Sequence, residues 1–237
     1  MMDDPQLPEE LHRDALRGLA RLNACTGVAA AIYRRIRRYA RAIGRPIRLL
    51  DLATGSGDMP IYWTKRAARD RISIRCTGID ISSTALQVAA AQAARAGADV
   101  QFIQRDILSD RLPSGYDIIT CGLFMHHLSE IQIARLLIAM QAAAEHAVVI
   151  CDLERSRLNL ACVWFASQAL SRSEVVHTDA LRSVRAALTR EEFRAIAERA
   201  LGRPIYIDGL PPCRFIATLE EAVARVPEVV LPGLQST

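Results

Sequence analysis

The chain has 237 residues, 51% of them hydrophobic and 24% charged, with a formal net charge of +4. That much apolar material sustains a sizeable core and excludes a wholly disordered chain, and 12 glycines and 10 prolines are too few for a collagen-like or low-complexity protein. No apolar run reaches the ~18 residues of a spanning helix, and the start, MMDDPQLPEE, lacks the basic-then-apolar order of a secretory signal.

The amino-terminal segment reads as helical. Leu11, Ala15, Leu16, Leu19 and Leu22 form a stripe at helical spacing. A second helix runs through Ile32, Ile36, Tyr39 and Ile43, with Gly44 as its cap and Pro46 as a stop. It carries the dense basic run Arg34, Arg35, Arg37 and Arg38, read here as a solvated face rather than a phosphate or membrane contact. From Ile47 the texture changes: IRLLDLA, ISIRCTGID, VQFIQRD, YDIITCGLF and HAVVICDL read as five strands. Helices are expected between them from about 60 to 69, 84 to 96 and 131 to 144. Nearly continuous apolar strands alternating with helices predict a parallel sheet covered on both faces.

After Asp152 the rhythm pauses. RSRLNLACVWFASQAL reads as a helix, and SRSEVVHTDALRSVRAAL as polar and irregular or partly helical. Thr189 and Glu192 offer a capping box for a helix through Ala200. RPIYIDGL and CRFIATLE look like a final antiparallel pair, and the tail after Glu220 is expected to fray. The division is an amino-terminal helical cap over 1–45, a main domain over 46–220 with an insertion at about 154–188, and a tail over 221–237. The six cysteines (Cys25, Cys76, Cys121, Cys151, Cys162 and Cys213) fall in no metal-ligand spacing, and free thiols in a reducing cytoplasm account for them.

Chemistry concentrates at the strand ends. The first strand runs from Asp51 through Ala53 and Thr54 into Gly55, Ser56 and Gly57, a turn that lets a backbone pass close to a ligand. The second ends at Asp80, placed to accept from ribose hydroxyls, and the third at Asp106, placed to accept from an adenine amino group. A dinucleotide fingerprint needs a small third residue, where this chain has Pro60, and Asp58 sits where a phosphate would be repelled. A P-loop is excluded for want of Gly-Lys-Ser/Thr. The pattern favours an adenosine ligand without phosphates that carries positive charge.

These residues resemble the class I S-adenosylmethionine-dependent methyltransferases. LLDLATGSGD is similar to that family's first motif, GIDIS to its second, QRDIL to its third and YDIITCGLFMHHL to its fourth-strand motif. The resemblance covers 47–155 strongly. The whole chain looks most like small bacterial methyltransferases of secondary-metabolite type, through LHRDALRGLARLN and the stretch after strand five. It implies a Rossmann-like α/β fold with sheet order 3-2-1-4-5-7-6 and strand seven antiparallel. It further implies S-adenosylmethionine as cofactor and S-adenosylhomocysteine as product, held by Asp51, Ala53, Thr54, Gly55, Gly57, Asp80, Ile81, Asp106, Ile107, Cys121, Gly122 and Leu123.

Within that frame the expected reaction is methyl transfer to a small aromatic or polyketide-like acceptor, first of all at a phenolic oxygen. Carbon methylation of a quinone-type ring is the near rival; a nucleic-acid methyltransferase and a non-catalytic cofactor binder stand further off. Candidate bases are His126 and His127, one of which is expected to face the site while the other is structural, and His177, with Asp179 as its orienter. Arg155, Ser183 and Arg185 are candidates for acceptor carboxylate, carbonyl or phenolate groups, and Trp164 and Phe165 for an apolar pocket wall. No metal and no nucleic-acid partner are expected, peripheral membrane contact stays open with a lipidic acceptor, and the expected compartment is the cytoplasm.

Overall fold

The computed structural model describes residues 27–170 and 174–220. The helix expected around Leu11–Leu22, Cys25 and the tail after Glu220 lie outside the described residues. In chain order the elements are α1 (Val28–Ile43), β1 (Ile47–Leu52), α2 (Asp58–Arg69), β2 (Ile74–Asp80), α3 (Ser83–Ala96), β3 (Val100–Gln104), β4 (Tyr116–Gly122), a 3-10 turn (Met125–His127), α4 (Glu130–Ala143), β5 (Ala144–Leu153), α5 (Arg157–Leu170), α6 (Glu174–Ala186), α7 (Arg190–Leu201), β6 (Tyr206–Leu210) and β7 (Arg214–Glu220).

The strands form one seven-stranded sheet in the order β3-β2-β1-β4-β5-β7-β6. β1 pairs in parallel with both β2 and β4, so the chain reverses direction across the sheet there and leaves a crevice at the carboxyl ends of β1 and β4. β7 runs antiparallel to β5 and β6, as expected. It therefore begins where β5 ends, at the same edge as the crevice.

Two apolar layers flank the sheet. On one face, Val28, Ile32 and Ile36 of α1 and Trp63 of α2 pack on Leu49, Ile118, Val149 and Ile216. On the other, Ile133, Leu137 and Met140 of α4 and Phe193 and Ile196 of α7 cover Leu50, Ile119, Val148 and Phe215. Residues of alternate parity on each strand feed the two layers, which is why β4 and β5 are buried almost throughout.

α1 is thus a layer of the core. Three arginines of its basic run are tied down: Arg35 pairs with Asp208 of β6, Arg38 lies 2.5 Å from Glu220 of β7, and Arg37 lies 3.7 Å from Asp70 at the end of α2. Several helix ends follow local rules. Gly44 and Gly97 close α1 and α3 in the left-handed conformation, and Thr189 and Glu192 form the expected capping box. Ser129 and Gln132 form a second box, at the start of α4, that sequence reasoning misses.

One expectation is settled and one is corrected. Of the two readings of the segment after α5, the helical one holds: Glu174–Ala186 form α6, in which Ala180 and Val184 are buried, as is Ala187 just beyond it. β3 stops at Gln104, so Asp106 stands in the following turn and not on the strand.

Close packing fixes the glycines of the β1 turn unequally. A Cβ on Gly57 (φ 76°) would lie 2.9 Å from both Ala89 and Phe102, whereas around Gly55 (φ 56°) nothing lies within 4 Å. Gly57→Ala is expected to cost about 2–4 kcal/mol, from left-handed strain plus overpacking. Gly55→Ala is expected to cost only about 1–2 kcal/mol from strain alone. Chemical denaturation of the two variants checks the difference.

Candidate functional site

The carboxyl ends of β1, β2 and β4 meet around one buried acid. Asp51 is 3% exposed. Its carboxylate accepts from the Thr54 hydroxyl at 2.7 Å and from the Thr120 hydroxyl of β4 at 2.8 Å. The turn is thereby fastened to both strands of the crevice. Burial pushes the Asp51 carboxyl up to about 7, against the two hydroxyls, and the charge of Asp80 adds to the rise.

Asp80, at the end of β2, reaches across to the same turn. Its carboxylate accepts from Gly55 N–H at 2.8 Å and from Ser82 N–H at 2.9 Å. Beside it, Ile81 presents a side chain 63% exposed. Asp106 folds back on its own turn, accepting from Leu108 N–H and the Ser109 hydroxyl; these bonds hold it below the usual carboxylate range. Each oxygen keeps lone-pair capacity for a further donor. Ile107 behind it is buried.

At α2, the amino-terminal end carries Asp58, which accepts from Ser56 Oγ at 2.8 Å; burial raises its carboxyl, against the Ser56 bond. The dipole end that would bind a phosphate thus already faces an acid.

Ala53 after β1 and Leu123 after β4 both adopt left-handed φ, 51° and 57°. Such residues are strained and concentrate at functional sites. Leu123 N–H bonds Cys151 O at 2.8 Å, holding the turn against β5. Cys121 is fully buried, and burial raises its thiol far up, which leaves it inert. Gly122 lies against Met59, whose Sδ would stand 2.8 Å from an added Cβ.

The two neighbouring histidines take different positions. His126 is buried, and His127 is exposed. Their rings lie 4.2 Å apart, centroid to centroid. His126 Nδ1 is 2.6 Å from Oδ1 of Asp152, and Oδ2 of the same carboxylate accepts the His126 backbone N–H at 3.1 Å. Sequence reasoning misses this pair, since the two residues stand 26 positions apart. A signal exists all the same: an acid at the end of one strand and a histidine just past its neighbour.

The insertion forms a helical hairpin over this turn. α5 packs on α6, and α6 on the 3-10 turn. Leu153, Val184 and Ala187 make a small buried core with Leu123, Leu160 and Val163 around it. His177 lies on α6, half-buried; the side chain of Asp179 lies outside the described residues. Ser183 is half-buried on the same helix and Arg185 exposed at its last turn. Arg155 pairs with Glu192 of the α7 capping box, so a protein carboxylate already holds its guanidinium. Trp164 and Phe165 pack edge to face at 4.7 Å but are 46% and 67% exposed, so they stand at the surface and not in a closed wall.

The described residues include one cluster of metal-ligand types: Asp117, Glu145 and His146. It lies at the amino ends of β4 and β5, away from the crevice. Arg45 grips Asp117 at 2.7 and 3.1 Å, and Arg48 N–H adds a third bond at 2.7 Å. Burial of Asp117 opposes ionisation, but these donors outweigh it and hold the carboxyl below its usual range. The cluster is an ion-pair network.

The described cysteines are free, with Cys76, Cys121 and Cys151 buried. No helix among the described residues is long and apolar enough to cross a membrane.

Comparison with known proteins agrees with this geometry. Residues 49–144 match the family model described as a methyltransferase domain. A stretch of 86 residues is 30% identical to demethylmenaquinone methyltransferase of Thermus thermophilus, covering 36% of this chain and 37% of that one. The match thus spans little more than a third of that relative. The fold is similar to the plantazolicin methyltransferase BpumL bound to a desmethyl analogue and SAH, with TM-score 0.65 and 18% identity over 87% of this chain and 89% of that one. It is also similar to magnesium protoporphyrin IX methyltransferase from Synechocystis PCC 6803 with SAH, with TM-score 0.57 and 14% identity over 92% and 90%.

The state of Asp51 has a measurable consequence. The unfolded chain ionises it from about pH 4, the folded protein only around pH 7. Folding binds a proton in that window, so this group's contribution to stability falls as pH rises from about 4 to about 7 and is level above. Asp51→Asn is expected to match wild type in acid and to exceed it increasingly up to neutrality, with a ceiling on the order of 4 kcal/mol. Urea unfolding across pH reads this.

Proposed function

We propose, from the match of residues 49–144 to a methyltransferase-domain model, that the protein transfers a methyl group from S-adenosylmethionine to a small acceptor, at a phenolic oxygen of an aromatic or polyketide-like molecule. The observation that carries the reading is the convergence of β1, β2 and β4 on one phosphate-excluding turn: Asp51 of β1 bonded to Thr54 and to Thr120 of β4, Asp80 of β2 on Gly55 N–H, and Asp58 at the start of the helix beyond.

The residues present fit such a cofactor. Gly55 leaves open space where a side chain would stand. Asp80 has the acceptor capacity for ribose hydroxyls, Ile81 offers an exposed apolar side chain beside it, and Asp106 with Ile107 would hold the adenine edge. Cys121, Gly122 and Leu123 would present backbone to the methionine portion. When bound, the cofactor supplies an electrophilic methyl group on a sulfonium centre. The protein's work is then placement of the acceptor atom about 3–3.5 Å from that methyl and removal of its proton.

For the proton, the histidine turn is the strongest candidate. Asp152 holds Nδ1 of His126, which sets the tautomer with Nε2 as acceptor. His127 stacks beside it at the exposed side. Asp152 acts here as a positioning residue. His177 on α6, a helix packed against that turn, remains the third candidate. Ser183 and Arg185 are the remaining polar candidates for the acceptor, Arg155 being engaged by Glu192. Carbon methylation of a quinone-type ring uses the same deprotonation; the demethylmenaquinone methyltransferase match is the one observation in its favour.

Asp80→Ala is expected to weaken S-adenosylhomocysteine binding by on the order of 10- to 100-fold in calorimetry; unchanged affinity removes the cofactor assignment. His126→Ala, His127→Ala and Asp152→Asn should leave that affinity intact, and loss of the true base should lower kcat by at least about 10². Wild-type turnover in all three removes the base from this turn. The position of a labelled methyl group, on oxygen or carbon, separates the two acceptor chemistries.

A further inference from the structure

Arg214 opens β7 and is 7% exposed. Its Nη1 donates to Pro212 O at 2.9 Å, and its Nε is the one buried side-chain polar atom among the described residues with no hydrogen-bond partner. No described carboxylate forms an ion pair with it. The nearest acid in sequence register, Asp152, makes its hydrogen bonds elsewhere: Oδ1 with His126 Nδ1 and Leu153 N–H, Oδ2 with His126 N–H. Burying a guanidinium on one neutral bond is costly, and native proteins ordinarily pair such a group. Burial accordingly disfavours its charged form, with partial relief from Cys151, Cys213 and Asp152.

The position of this cation matters. Arg214 is paired in register with Leu153, the last residue of β5. Leu153 belongs to the small core that joins the α5–α6 hairpin to Leu123 at the end of β4. The guanidinium therefore stands at the crevice edge of the sheet, on the far side of β5 from β1 and β2, where the nucleoside half of a cofactor would lie. The strand that carries it is fixed beside the hairpin by Asn159, whose amide donates to Cys213 O and Glu154 O.

We propose that Arg214 is an acceptor-binding residue that takes an oxyanion of the acceptor, a carboxylate in the first instance, and that this ligand completes its coordination. This rests on the methyltransferase reading for the identity of the acceptor, but not for the binding of an anion. A planar fork whose Nε has no partner suits a carboxylate in a bidentate arrangement. It also selects: an acceptor with a neutral group in that place leaves the cation buried and unpaired.

The test uses salicylate and its neutral counterpart salicylamide at millimolar concentration, with the full chain, both alone and saturated with S-adenosylhomocysteine. Salicylate is expected to raise the melting temperature of the wild type and salicylamide not to. Arg214→Met should bind salicylate about tenfold more weakly or worse, keep its S-adenosylhomocysteine affinity, and melt at or above wild type, because an unpaired buried charge has gone. Arg214→Lys should retain part of the response. Equal responses to the two probes, no response in wild type, or an undiminished response in Arg214→Met overturns the proposal. So does a variant that melts below wild type, which makes the residue structural, or one that loses cofactor affinity, which assigns the cation to the cofactor's own carboxylate. Failure of S-adenosylhomocysteine to bind wild type sinks the methyltransferase reading instead, and the salicylate arm without it still reports on Arg214.

Discussion

The crevice depends on one carboxyl group that the fold takes out of water. Asp51 stands on β1, yet its two hydroxyl partners come from the turn that follows β1 and from the neighbouring strand β4. Those are the two walls of the place where the sheet changes direction. An apolar residue there would fill space but fasten nothing; the acid links the turn to both strands. The left-handed Ala53 and Leu123 sit immediately beyond these walls, so the strain at the site is held by the bonds beneath it.

Much of this is legible in the sequence because the relevant signals are local. Nearly continuous apolar strands, the Gly55–Gly57 turn and acids at strand ends each declare themselves within a few residues, and together with the family resemblance they carry the sheet order. What is not legible depends on partners far along the chain. His126 and Asp152 are separated by 26 positions and meet only because β4 and β5 are neighbours. Periodicity shows which side a residue faces but not how deep it lies: Trp164 and Phe165 read as pocket lining, yet they stand exposed, while the narrow stripe of α6 reads as polar and is buried where it counts. A lone arginine at the start of a strand gives no local sign that its Nε will be buried without a hydrogen-bond partner.

The hairpin of α5 and α6 is joined to the domain by a small core, and by polar ties at its root. Ser156 caps α5, Asn159 reaches the turn before β7, and Arg155 and Arg190 cross to Glu192 and Glu154. The root is therefore fixed more firmly than the outer face, where Leu158, Trp164 and Phe165 are exposed. That grading suits an element that shapes one side of a cleft while its far surface varies with what it meets.

α1 offers a different consequence. Its apolar side lies on the sheet, but its flank is moored to β6 and β7 by charge, through Arg35 with Asp208 and Arg38 with Glu220. These attractions reach through solvent and weaken as the Debye length shrinks from about 10 Å at 0.1 M to about 3 Å at 1 M. Concentrated brine thus loosens the helix from the antiparallel corner of the sheet while the greasy contacts near β1 tighten, so a halophilic host would have to rebuild that corner first.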